Sequence, residues 1–154
     1  MPEADIDHIY DYPKGYIKEI LKSVKTIAMV GASGDKTKFS YGVLRVLHET
    51  GYEMLPVNPN PNIKDIRGLK VFHSLKEIDK AVDMVQVFRR KEELLSVTKE
   101  AIEINAKVLW GQIGVYDDEA ANMATAAGLK VVMNSCPKIE LVRPFWKPRL
   151  DLKI

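Results

Sequence analysis

Cysteine is nearly absent from this sequence. Cys136 stands alone, so neither an intramolecular disulfide nor a cysteine-based zinc cluster can form. An excess of one charge is missing too: Lys+Arg number 23 against 21 Asp+Glu, interspersed along the chain. That balance leaves no electrostatic footprint for nucleic acid or an anionic membrane, though it leaves a polyanionic small ligand open. No apolar run approaches the ~20 residues that a membrane span needs. The acidic start, MPEADIDHIYDYPK, has no continuous apolar core and does not read as a secretory signal, so a cytoplasmic protein is expected. Internal repeats and low-complexity linkers are absent, and His, Asp and Glu show no metal-ligand spacing. At 154 residues, one domain over 1–154 is expected, too short for a nucleotide domain plus a separate catalytic one.

What is present is an alternation of short apolar runs with helical periodicity. Runs at 26–30, 53–57, 69–72, 82–88, 107–110 and 130–133 read as strands. Between them, Val43, Leu44 and Leu47 share a helical face that Gly51 should end, and Leu94, Thr98, Ala101 and Ile102 form another buried stripe. Ser74 and Glu77 fit a capping box, and Asp117 can cap a helix that Gly128 stops. This order predicts an α/β fold of Rossmann-like, doubly wound type, with a mostly parallel sheet of five to six strands covered on both faces. Residues 14–22 read as a lead-in helix on the sheet edge within a leader of 1–25. From Asn134 three prolines and no clean period predict an ordered arm over 134–154.

In such a sheet the loop after the first strand meets a ligand's pyrophosphate. Residues 31–40 are that loop. Gly31 and Gly34 allow close backbone approach, Ser33 adds a hydroxyl, helix-start amides add positive potential, and Lys36 and Lys38 add charge. Replacing Gly31 by valine should then abolish binding and leave the fold intact. The dinucleotide template Gly-x-Gly-x-x-Gly fails, because Ser33 and Lys36 occupy its second and third glycine positions. The second strand also ends in Pro56, Val57, Asn58 and Pro59, without the carboxylate that clamps an NAD ribose. A phosphorylated ribose suits Asn58, Lys64, Arg89 and Arg90 better, and NADP and coenzyme A both carry one.

Seven ordered stretches, VGAS, YGVLRVL, GYEMLPVNP, IRGLKVFHSLKEI, VDMVQVFRR, KVLWGQIGV and GLKVVMNSCPKIE, closely resemble the small stand-alone CoA-binding domain family. That family is a Rossmann-like relative of the CoA-binding domain of succinyl-CoA synthetase, and the resemblance spans roughly residues 15–143. It implies that Gly31, Ala32 and Ser33 bind the pyrophosphate and that Pro56, Val57, Asn58 and Pro59 lie beside the adenosine. It also implies that Phe88, Arg89 and Arg90 border the nucleotide and that the stretch Gln112 to Val115, with Gln112 and Gly114 as site residues, lies on the pantetheine side. Lys38 and Tyr41, at the start of the following helix, belong to the same expected site. The chain departs from the family at Asn60, where relatives have a lysine, and at Leu141, where a histidine is common.

Catalytic groups are harder to find. His8, His48 and His73 have no paired base or nucleophile near them in sequence and read as surface or capping histidines. The carboxylate pairs Glu92–Glu93 and Asp117–Asp118 open helices, where capping accounts for them. Cys136 reads as a small apolar residue before Pro137, with a mixed disulfide to CoA as the alternative, and Trp110, Phe145 and Trp146 read as core or interface. The resulting expectation is non-catalytic binding of coenzyme A or an acyl-CoA, as carrier, sensor or regulatory subunit. The alternatives are an NADP-dependent oxidoreductase, a ligase-like subunit completed by another chain, and an interaction module with an idle pocket. A homodimer or another protein partner stays open, since apolar residues in the tail would suit either.

Overall fold

Strands buried on both faces read as nearly continuous apolar runs. The computed structural model, which describes residues 12–142, turns five such runs into one parallel sheet. Helix α1 (Lys14–Ser23) leads into β1 (Thr26–Val30), α2 (Phe39–Thr50) and β2 (Glu53–Val57). A small hairpin of β3 (Asp65–Ile66) and β4 (Leu69–Lys70) precedes β5 (Met84–Val87) and α3 (Leu94–Glu103). Then come β6 (Val108–Gly111), α4 (Asp118–Ala126), β7 (Lys130–Val132) and the single-turn α5 (Pro137–Leu141). The strand order is β2-β1-β5-β6-β7, so the chain crosses from one side of β1 to the other between β2 and β5. That crossing places the topological switch point at the carboxyl ends of β1 and β5.

Side chains alternate across the sheet into two cores. Ala28, Val85, Leu109 and Val131 stand in register and pack with Leu94, Val97 and Ala101 of α3 and Ala120 and Ala124 of α4. The opposite face carries Ile27, Met29, Met84 and Trp110 against Ile20, Leu21, Val43, Leu44 and Leu47 of α1 and α2. Trp110 is fully buried, with its indole N–H donating to the Ser135 carbonyl at 2.8 Å. Helix α1 docks on the far edge, where the Tyr16 hydroxyl donates to the Val131 carbonyl and accepts from the Val131 amide.

Helix ends follow local chemistry. Gly51 closes α2 at φ 117° and Gly128 follows α4 at φ 93°, conformations that glycine adopts without steric cost. The Asp117 carboxylate accepts from the Ala120 amide at 2.8 Å. Asp117→Ala is therefore expected to cost about 1 kcal/mol, roughly 2–4 °C of Tm in a domain of this size. An unchanged melt would show that the cap adds nothing.

Two expectations need correction. The run 69–72 is not a strand of the parallel sheet: Arg67 (φ 57°) and Gly68 (φ 79°) form a tight turn that folds Leu69–Lys70 back on Asp65–Ile66 as a separate two-stranded sheet. Only Phe72 reaches the main sheet, through a bridge to Val57. Ser74 does not cap. Its backbone carbonyl already takes the Glu77 amide in a 3-10 turn over Leu75–Glu77, and the Glu77 carboxylate accepts instead from the His73 amide. The stretch after Asn134 opens with helix α5, which Pro137 starts with its pre-set φ, and the rest of the expected arm, from residue 143, lies outside the described residues. His8, Phe145 and Trp146 lie outside the described residues.

Candidate functional site

The loop leaving β1 is tied to its neighbours by backbone. The amides of Gly31 and Ala32 both donate to the Val57 carbonyl, at 3.0 and 3.3 Å. The Asn58 side chain donates to the Ala32 carbonyl at 2.8 Å and accepts from the Asn60 amide at 2.9 Å. The β1 loop and the turn after β2 are thus one cross-linked unit. Gly31 sits at φ +95°, and a Cβ built there would lie 2.2 Å from the Phe88 carbonyl oxygen. Close backbone approach is real at this position, but the approaching group is the β5 end of the same chain.

Beyond Ala32 the loop changes character. The Ser33 hydroxyl accepts from the Asp35 amide at 3.1 Å, and Asp35 Oδ1 accepts from the Thr37 hydroxyl and amide at 2.7 and 2.9 Å. Those two bonds from Thr37 hold the Asp35 carboxyl below its ordinary range. The amides of Ser33 and Gly34, and that of Phe39 opening α2, donate to nothing among the described residues. Their position, at a loop leading into a helix N-terminus with Lys36 and Lys38 exposed beside it, suits a phosphate group.

Next to this loop lies a cleft of about 580 Å³ lined by Phe39, residues 88–90 and residues 112–115. Phe88 packs toward the α1/α2 core, while Phe39 and Ile113 stand 67% and 55% exposed at its mouth. Residues 112–115 form a tight turn in which the Val115 amide donates to the Gln112 carbonyl at 2.7 Å and Gly114 takes φ +86°. The Gly114 amide donates to Asn134 Oδ1 at 2.7 Å, pinning the turn to the β7 loop. Arg89 donates to Glu93 Oε1 through Nε and Nη2, at 3.0 and 2.6 Å, and Arg90 Nε donates to Glu93 Oε2 at 3.2 Å. The guanidinium groups of Arg89, then Arg90, hold the Glu93 carboxyl below its usual range.

The cleft gathers Phe88, Arg89, Arg90, Gln112 and Gly114 from the expected site. Others fall elsewhere. Pro56 and Val57 are buried within β2, Pro59 is exposed at its end, Lys38 is exposed at the α2 N-cap, and Tyr41 is half-buried against the α1/α2 core. Phe39 is the cleft residue that the sequence did not single out; Ile113 falls in the 112–115 stretch expected on the pantetheine side, and Glu93 ends the charged run 89–93 expected to be half helix start and half ligand contact. The pairing of Glu93 with both arginines follows its i,i+4 and i,i+3 spacing, whereas no local pattern marks Phe39 or Ile113 as exposed.

Elsewhere the titratable groups have structural work. His73 Nε2 lies 3.2 Å from the Ile63 carbonyl and Nδ1 3.6 Å from Glu77. Cys136 is buried in the α1/α2 core. A second hollow of about 490 Å³ lies at the opposite end of the sheet, where Asp83 Oδ2 accepts from the Lys25 and Thr26 amides. Among the described residues no cluster of three or more His, Cys, Asp or Glu could hold a metal, and no helix is long and apolar enough to cross a membrane.

Comparison with known proteins fits this architecture. Uncharacterized protein YneT of Bacillus subtilis is 43% identical over 126 residues, 82% of this chain and 92% of that protein. The structure of a hypothetical protein from Pyrococcus horikoshii superposes with a TM-score of 0.81 at 34% identity, covering 86% of this chain and 92% of that one. The Pyrococcus furiosus acetate–CoA ligase (ADP-forming) I subunit alpha is 33% identical over 95 residues, 59% of this chain but 21% of that subunit. Residues 25–142 match the family described as "CoA binding domain". They contain the whole parallel sheet and both loops of the site, and the chain belongs to that CoA-binding domain family.

Proposed function

We propose that this protein binds coenzyme A or an acyl-CoA at the carboxyl edge of its sheet and performs no reaction alone, acting as a carrier, sensor or regulatory subunit. The observation that carries this reading is the family match over residues 25–142, in which the Ser33 and Gly34 amides and the α2 N-terminus leave donors open for a diphosphate. Arg89 and Arg90 supply cations for the ribose phosphate, Asn58 and Pro59 border the adenosine, and the cleft behind Phe39 takes the pantetheine arm. Gly31, Ala32, Lys38, Tyr41, Pro56 and Val57 shape or flank this site. The donor set fits the group: amides and guanidinium groups for phosphates, apolar walls for the arm. Coenzyme A would bring a thiol or thioester, and this chain's residues would hold it.

A second reading, a ligase-like subunit completed by another chain, draws on the likeness to the acetate–CoA ligase subunit, of which the aligned region is 21%.

Thermal-shift titration with CoA, dephospho-CoA, acetyl-CoA, NAD and NADP tests the binding reading. A ligand at ~100 times its Kd adds about 2.7 kcal/mol of stability. CoA and acetyl-CoA are expected to raise Tm and the nicotinamides to leave it unchanged. Stabilisation by NADP alone would overturn the proposal.

A further inference from the structure

The central strand β5 carries a fully buried glutamine, Gln86, between Met29 and Trp110 of its neighbours. Its Nε2 donates to Oε1 of Gln112 at 3.2 Å, and its own Oε1 is buried with no partner. A buried orphan carbonyl costs stability, and such groups in folded proteins call for a reason. An apolar side chain would fill the same place in the core without that cost.

The reason lies in what Gln86 does to Gln112. Gln112 is 5% exposed and lines the cleft. Because its Oε1 is occupied by Gln86, its Nε2 is left as the donor, and that nitrogen neither bonds to a described residue nor belongs to the enclosed, unpartnered atoms. Around it the walls are mainly apolar, from Phe39, Phe88, Ile113 and Val115, with Arg89 and Arg90 completing the lining. A side-chain amide NH2 at the base of a mainly apolar cleft suits a carbonyl oxygen next to an apolar chain.

Taking the CoA reading above as its basis, we infer that the cleft selects the acyl thioester form of the ligand. Gln112 Nε2 donates to the thioester carbonyl, the acyl chain lies between Phe39 and Ile113, and Gln86 is the positioning residue whose hydrogen bond holds the Gln112 amide at the base of the cleft. No bond to the ligand is made or broken.

The test uses CoA, propionyl-CoA and the thioether S-propyl-CoA, which matches propionyl-CoA in chain length but has no carbonyl, with isothermal calorimetry on the full chain. Propionyl-CoA is expected to bind about five- to tenfold tighter than the thioether, the range of one neutral buried hydrogen bond. That ratio should fall to about one in Gln112→Leu and decrease in Gln86→Met, with any loss of CoA affinity smaller than the loss of propionyl-CoA affinity. Gln86→Met also removes the orphan carbonyl, so its melting temperature should hold or rise, which keeps the test alive if Gln112→Leu folds poorly. A ratio near one in the wild type, a ratio unchanged in both variants, or an equal loss of CoA and propionyl-CoA in the variants would each overturn the inference. Those outcomes leave the CoA reading standing; failure of the wild type to bind any of the three ligands overturns the CoA reading itself.

Discussion

Gly31→Val is expected to destabilise the protein by about 4 kcal/mol or more, the class of loss reserved for strain and buried clashes. Two effects add. At φ +95° a β-branched residue occupies a backbone region that L side chains avoid, and its Cβ would stand 2.2 Å from the Phe88 carbonyl oxygen and 2.8 Å from the Phe88 carbonyl carbon. Those are backbone atoms joined to Val30 through the Phe88 amide at 2.8 Å, so they cannot swing aside. The sequence-based expectation that this substitution spares the fold is therefore corrected: Gly31 holds β1 against the end of β5. Gly34→Ala is the cleaner probe of the loop. Its Cβ would meet only Ile66 Cγ1, at 3.8 Å, an ordinary contact. A melt followed by circular dichroism should drop by on the order of 10 °C or more for Gly31→Val and stay near wild type for Gly34→Ala. If instead Gly31→Val melts like wild type, the close approach to Phe88 is not a constraint on the fold.

The same residue shows what a sequence can and cannot reveal. The order of the sheet was legible, because strands such as Thr26–Val30 and Glu53–Val57 announce burial on both faces by apolar residues in succession. Asp117, Gly51 and Gly128 were legible for a different reason: their roles involve partners within a few residues. The misreadings share one cause, a partner far along the chain or a competing local bond. Gly31 looked like a ligand-facing glycine, but its neighbour is Phe88. Asn58 looked like a free donor for a ribose, yet its amide is engaged with Ala32. Gln86 sat unnoticed inside an apolar run, since its pairing with Gln112 exists only once β5 and β6 are in register. Ser74 failed as a cap because its own backbone carbonyl took the amide first.

Arg89→Ala is expected to lower CoA affinity by about 1.5–3 kcal/mol, roughly ten- to a hundredfold, while dephospho-CoA affinity moves less than about twofold. Arg89 is the better candidate of the two arginines. Both of its hydrogen bonds to Glu93 hold the guanidinium at the cleft, with 36% of its side chain exposed, whereas Arg90 is 82% exposed and held by one bond. A prepositioned cation loses less side-chain freedom on binding. Glu93 lies against both arginines. Its carboxylate balances one of the two positive charges, and because Arg89 and Arg90 hold its pKa below the ordinary carboxylate range it stays ionised throughout the neutral region. Whatever stability the trio contributes is present above the unfolded carboxylate pKa and is lost only as pH falls through the lower folded value. Between pH 5 and 8, therefore, any change in the preference for CoA over dephospho-CoA reports the phosphate, whose second ionisation lies near pH 6, and not this carboxylate. Glu93→Gln should act in the opposite direction to Arg89→Ala, strengthening CoA binding at low salt by releasing a full positive charge, with dephospho-CoA little changed. Calorimetry with the two ligands separates the cases: equal loss of both in Arg89→Ala would remove the arginine from the phosphate and leave it a structural partner of Glu93.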